Sequence, residues 1–415
     1  MLIRFKSYQS HIYSVLIGLF FLLILHVKVS YTLIPILLAL SGIIFSIPHI
    51  KQKNWQFTAQ DKWIIGTFTF YFLLFIISLC IYHGKGKELD LPSRALLSLP
   101  ILVLLAKIQV KQLWIIYAIL SAASVAGLIA IIQVVGLHLE KAFPKMMHIQ
   151  AGDIAMSLAV FCFCTVFYFY ANKQYRLVFL GLIAGLLGII ASFLTTARGA
   201  WIGVPVVLMV IFWLNRRNLS KWLVIGVLLI TLSGGIFASK TIYQRYQSAQ
   251  DDISAYLNHS NTSTSVGARF DMWKSAIIGI QEKPIFGWGL EGVKTMRNQH
   301  FQEGKISQYA ASFGHSHNQY LHDTSTRGLL GLIALLAILF VPLIIFWHNL
   351  RQSTAGSLTY LWGVVGISHI LLTMSYFLTQ AFISHNSGIM FYFVTTIIFL
   401  GLQKIAKNQS LTGIK

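Results

Sequence analysis

Acidic residues are scarce in this chain: 12 Asp and Glu stand among 415 residues, against 32 Lys and Arg. Charge of either sign makes up only 11% of the sequence, while 56% is hydrophobic. A soluble domain carries roughly a quarter charged residues, so this shortage excludes an ordinary soluble protein and points to a polytopic membrane protein. In a soluble chain the net charge of +20 would suggest nucleic acid. Here it reads as Lys and Arg collected in cytoplasmic loops, and no nucleic-acid partner is expected. Cysteine is nearly missing too. Cys80, Cys162 and Cys164 all fall in apolar stretches, which favours membrane-embedded packing over a metal or redox pair. The basic start MLIRFKSYQS has no small-residue cleavage site after its apolar run, so it reads as an uncleaved anchor. Internal repeats and low-complexity tracts are also lacking.

What is there is a series of long apolar runs. Stretches near 11–27, 29–47, 63–82, 92–106, 113–136, 151–170, 176–195, 199–214, 221–238, 328–347, 358–378 and 386–404 approach the roughly 17–25 residues a helix needs to cross a bilayer. The expected fold is all-α and polytopic, with about 12 transmembrane helices. If Arg4 and Lys6 are cytoplasmic, alternate connections should be basic. They are, from Lys51/Lys53/Lys62 through Arg216/Arg217/Lys221 to Lys404, Lys407 and Lys415. Both ends are therefore expected inside.

One connection stands apart. Residues 239–327 form a polar insert on the outer face, between helices one to nine (1–238) and helices ten to twelve (328–415). It holds seven of the twelve acids and five of the fourteen histidines, and a loop this long in a compact protein is usually functional. Its start, HSNTSTS at 259–265, reads as mobile. An amphipathic helix follows near 266–281, capped by Ser265, with Phe270, Trp273, Ile277 and Ile280 at helical spacing on a bilayer-facing stripe. Pro284 and the glycines of PIFGWGLEG then make a turn.

Three outward-facing motifs carry candidate chemistry. TTARGAWIG (195–203) sets Arg198 at a tight outer turn, where it either snorkels to lipid phosphates or serves a ligand. VGARFDMWKSA puts Arg269 at the edge of the amphipathic helix, again either lipid-facing or ligand-binding. HSHNQYLH puts His315, His317 and His322 at the membrane boundary. Two guanidiniums suit a diphosphate, whose oxygens they grip as forks. A neighbouring imidazole suits activation of a hydroxyl nucleophile. The competing reading of the histidines is a zinc or copper site made with Asp323, although no second ligand cluster accompanies it.

In the order of these motifs the chain resembles the O-antigen ligase family, which includes O-antigen polymerases and protein O-oligosaccharyltransferases. The resemblance runs from about 185 to 340, through TTARGAW, GARFDMWKSA, P-x-x-GWG, HNQYL and RGLLGLI. It implies a C-type glycosyltransferase architecture in the bacterial inner membrane. The implied reaction transfers a polysaccharide from undecaprenyl diphosphate to a lipid A–core sugar on the periplasmic face, with no cofactor or metal. The family's donor-binding arginines fall on Arg198 and Arg269 and its base on His317; His315 is an accessory candidate. A protein O-oligosaccharyltransferase is usually longer, and a polymerase often has two large periplasmic loops, so ligase is the expected member. A transporter would place ionisable groups at the bilayer midplane. Only His26 and His369 are expected within spans, with Asp153 near an outer end. His385, in a second His-Asn pair, is the fallback base.

Overall fold

A computed structural model describes residues 2–52, 57–216 and 264–412, with scattered positions between 221 and 258. Its helices are α1 (Leu2–Leu23), α2 (Ser30–Gln52), α3 (Ala59–Tyr82), α4 (Ser93–Lys107), α5 (Gln112–Ile131), α6 (His148–Ala171), α7 (Tyr175–Leu194), the short α8 (Gly199–Ile202), α9 (Val204–Asn215), α10 (Ser265–Glu282), α11 (Leu290–Gln302), the short α12 (Gln308–Ala311), α13 (Gln319–Arg351), α14 (Leu358–Thr379) and α15 (Asn386–Thr412). No strand occurs among the described residues. This is what a bilayer demands, because a helix satisfies its own backbone hydrogen bonds where water cannot. The protein is an all-helical, polytopic membrane protein.

Nine helical stretches among the described residues are long and apolar enough to cross a membrane, and Tyr8–Leu23 and Gly199–Asn215 are shorter apolar helices. These eleven match eleven of the twelve apolar runs; the run at 221–238 lies, but for a few scattered positions, outside the described residues. The apolar run at 199–214 breaks at Gly203, between α8 and α9. α6, α14 and α15 are buried nearly all round and form the centre. Cys162 and Cys164 belong to that core. α7 lies against α5 and α6, while α13 lies against α3 and α14.

At one end, Lys404 Nζ meets Asp61 Oδ2 at 2.6 Å and Lys407 Nζ meets Gln352 Oε1 at 2.8 Å, tying α15 to the start of α3 and the end of α13. The Thr58–Asp61 capping box fixes the start of α3. The candidate motifs gather at the other end.

Three sequence expectations change. α1 stops at Leu23, so His26 lies in the following turn rather than in a span, its ring 5.7 Å from Phe143. Thr264, not Ser265, caps α10, its hydroxyl accepting from Gly267 N. α10 buries Ala268, Asp271, Met272, Ser275 and Ala276 against the protein, while Ile277, on the apolar stripe, is exposed. The HSNTSTS start, apart from its last two residues, lies outside the described residues.

The third change concerns the tenth apolar run. Its helix does not begin at 328 but at Gln319, and it is broken at Gly328 (φ 64°, ψ −161°). That conformation is essentially open only to glycine. The break leaves carbonyls of the outer half without helical partners, and PIFGWG supplies them: Trp288 N donates to Ser325 O at 2.9 Å and Gly289 N to Thr326 O at 2.8 Å, while Leu329 N donates to Pro284 O at 2.7 Å. Gly287, also left-handed, lies so close that a Cβ there would meet the backbone of Thr326–Gly328. The two motifs are thus halves of one clasp.

Candidate functional site

Arg198 caps the start of α8 in the turn after α7. That turn is rigid. Thr195 Oγ1 donates to Ser192 O at 2.7 Å, Ser192 Oγ donates to Gly152 O at 2.9 Å, and Trp201 stacks on Phe193 at 5.1 Å. Thr196 is left-handed at φ 63°, a conformation costly for a β-branched residue and often found at functional sites. Arg269 comes from the first turns of α10. Its neighbours hold that helix down: Asp271 accepts from Tyr256 OH at 3.0 Å and from Ser307 N at 2.8 Å.

These elements bring Arg198 and Arg269 into one cleft of about 480 Å³, lined also by Glu140, Lys141, His148 and Thr379. Arg198 is exposed and Arg269 half-buried. Burial lowers the Arg269 pKa from its ordinary value. A guanidinium nevertheless stays charged in proteins, so the cleft is cationic. Lys141 and His148 were not singled out from sequence, because nothing in 137–148 resembles a motif.

The histidine segment sits beside this cleft. Trp273 Nε1 donates to Ser316 O at 3.0 Å, and the buried Arg297 donates to Phe313 O and to Ser316 Oγ at 2.9 Å. Arg297 is therefore a structural clamp. Its pKa is lowered to about 10 by burial. Asn318 caps α13, accepting from Leu321 N at 3.1 Å. Gln319 receives Ile383 N at 3.0 Å, and Tyr320 OH donates to Met374 O at 3.1 Å. With Asn318 Nδ2 also donating to Leu378 O at 3.3 Å, each residue after His317 in HNQY anchors the segment to α14 or the turn beyond it. His317 itself adopts a strained φ of 46°.

Four imidazoles converge here. The His315 ring lies 4.3 Å from His317, 5.5 Å from His385 and 6.4 Å from His322. His317 Nδ1 is 2.7 Å from Gln380 Oε1, and Gln380 Nε2 is 3.2 Å from His385 Nε2. Burial, then repulsion from Arg269, pushes the His317 pKa down to about 4, against the opposing hydrogen bond from Gln380. Burial and the neighbouring His317, His385 and Arg297 push His315 to about 3; burial lowers His385. The imidazoles outside the helix are thus neutral at neutral pH.

Asp323, offered by sequence as a metal ligand, instead pairs with Arg327 and accepts from Gln319 Nε2 at 2.6 Å. Arg327 also covers the Phe75 ring at 3.8 Å. Among the described residues no three His, Cys, Asp or Glu side chains stand close enough to hold an ion.

Fold and site define a polytopic helical membrane protein with a cationic cleft and a neutral imidazole cluster at one end. The sequence profile described as O-antigen ligase matches residues 183–336, the stretch that carries Arg198, Arg269, His315, His317 and His322. The chain is 40% identical over 391 residues to an uncharacterised Haemophilus influenzae protein, covering 93% of this chain and 97% of that one. It is 27% identical over 204 residues to an Escherichia coli K12 protein named O-antigen ligase, covering 48% of this chain and 47% of that one. The chain belongs to the O-antigen ligase family, whose members are glycosyltransferase-like enzymes acting on polysaccharide and lipid substrates.

Proposed function

We propose that this protein is an O-antigen ligase of the bacterial inner membrane, moving a polysaccharide from undecaprenyl diphosphate to a sugar hydroxyl of lipid A–core on the periplasmic face. The observation that carries this reading is the shared cleft. Arg198 and Arg269 line it together with Thr379, and the next residue, Gln380, is hydrogen-bonded to His317.

In the proposed step the acceptor hydroxyl oxygen attacks the anomeric carbon. A new C–O bond forms as the bond from that carbon to the diphosphate breaks. The hydroxyl proton passes to the bare nitrogen of neutral His317, and undecaprenyl diphosphate leaves with the bonding electron pair. The two guanidiniums hold the charge that accumulates on it, through forked hydrogen bonds that strengthen as the bond breaks. Low pKa values favour this arrangement in the resting site, since a base must be unprotonated before the acceptor arrives. His315, the neutral neighbour, has an accessory role in shaping the pocket around His317.

Lipopolysaccharide from a deletion strain tests the reading. Core lacking long chains, with lipid-linked polymer accumulating, is expected. Core bearing a single repeat would indicate a polymerase of the same family, and normal lipopolysaccharide would overturn the assignment. The orientation has its own check. In a Cys80→Ser background, Glu303→Cys should react with an impermeant thiol reagent when only the outer membrane is permeabilised; labelling solely after inner-membrane lysis would reverse the topology.

A further inference from the structure

The amide of Gln380 occupies an unusual position. It is fully buried, so water cannot satisfy it, and it lies between two imidazole rings from different parts of the chain. Its backbone is fixed as well, with Gln380 N donating to Tyr376 O at 2.9 Å in the last turn of α14. The preceding residue, Thr379, lines the cleft with the two arginines.

An amide oxygen can only accept and an amide nitrogen can only donate. Oε1 at 2.7 Å from His317 Nδ1 requires that Nδ1 carry the proton, which leaves Nε2 bare. Nε2 of Gln380, at 3.2 Å from His385 Nε2, requires the reverse there, with the His385 proton on Nδ1. Turning the amide over would invert both tautomers. Met147 Sδ, 3.7 Å from Gln380 Nε2, opposes that. A thioether is a weak acceptor, so it suits an N–H and repels an oxygen.

We propose that Gln380 is a positioning residue that locks His317 in the Nδ1–H tautomer and aims its bare Nε2 at the acceptor hydroxyl. This rests on His317 being the base and extends that assignment. Gln380 takes the part that a carboxylate plays in a Ser-His-Asp triad, but as a neutral group. A neutral partner fixes the tautomer without drawing a proton onto a ring that already stands among cationic groups.

The test uses full-length protein purified in nanodiscs, with lipid-linked donor and lipid A–core. Gln380→Leu keeps the bulk and removes both hydrogen bonds. It should lower kcat about tenfold or more while donor KM stays within about twofold, because the arginines are untouched. Gln380→Glu still accepts from Nδ1–H. It should restore most of kcat and move the acid limb of the pH profile upward, since a carboxylate favours the protonated ring. In ¹⁵N-histidine spectra His317 should be Nδ1-protonated in the wild type and lose that preference in Gln380→Leu. Wild-type kcat in Gln380→Leu overturns the proposal, as do two equally slow variants with an unmoved pH limb. Should Gln380→Leu fail to accumulate, the wild-type spectrum and Gln380→Glu still decide; an Nε2-protonated His317 in the wild type is an overturning result. His317→Ala separates the two layers. If it transfers normally, the base assignment fails; if it is inactive while Gln380→Leu is normal, only the role of Gln380 fails.

Discussion

Arg269→Lys keeps the charge of the cleft and removes the fork. An ammonium is a point charge, whereas a guanidinium presents two parallel N–H groups to one phosphate. A hydrogen bond to a charged group contributes about 1.5–3 kcal/mol, so losing one of the pair should slow transfer about ten- to a hundredfold. The structure ranks the two sites within that range. Arg269 is half-buried and Arg198 exposed, and a hydrogen bond is stronger where water is thinner. Arg269→Lys should therefore fall at the upper end and Arg198→Lys at the lower. The packing under α10 does not confound this, because Ala268, Asp271 and Met272, not Arg269, form its buried face. The assay is transfer of lipid-linked polysaccharide by purified protein, at matched expression. Near-normal rates in both Lys variants would show that neither arginine grips the diphosphate, and would reduce both to lipid anchors.

Other outcomes follow from the same geometry. Because the lowered pKa of His317 is about 4, the active unprotonated form persists as pH falls below the ordinary histidine value. The acid limb of kcat/KM should lie near 4, while that of kcat should lie higher, since a bound diphosphate offsets the repulsion from Arg269; a kcat/KM limb at about 6.5, the unperturbed value, would contradict the burial of this ring. Gly328→Ala forces a side chain into a glycine-only conformation against the Ile285 carbonyl. It should cost about 1–3 kcal/mol or more and lower Tm, and an unchanged Tm would show that the clasp is not rigid. Transfer by purified protein in excess EDTA should be undiminished; inhibition reversed by added zinc or copper would revive the metal reading of His315, His317 and His322.

Hydropathy revealed most of the bundle, because each span must carry its own apolar run whatever its neighbours. Arg198, Arg269 and His317 were legible for a different reason: each belongs to a short motif whose other residues are local anchors, such as the Asn318 cap or Asp271 receiving Ser307. The clasp at Gly328 was not legible. Its donors, Trp288 and Gly289, are separated from Ser325 and Thr326 by the whole of α11 and the histidine segment, and an apolar run gives no sign that a helix begins before it. Gln380 was hidden likewise, because a lone glutamine at a helix end carries no pattern, and its partner His317 is 63 residues earlier. The protein-facing side of α10, with Ala268, Met272 and Ala276, carries no conspicuous pattern in sequence, unlike the apolar stripe on which Ile277 is exposed.

The central claim is that neutral His317 takes the acceptor's proton while the arginines hold the donor. General-base assistance contributes about 10²–10⁴-fold, so the most direct measurement is single-turnover transfer by purified His317→Ala with donor already bound. Donor affinity should match the wild type while the transfer step slows by that factor, with His315→Ala and His322→Ala much milder. Transfer by His317→Ala at the wild-type rate would contradict the account and turn attention to His385.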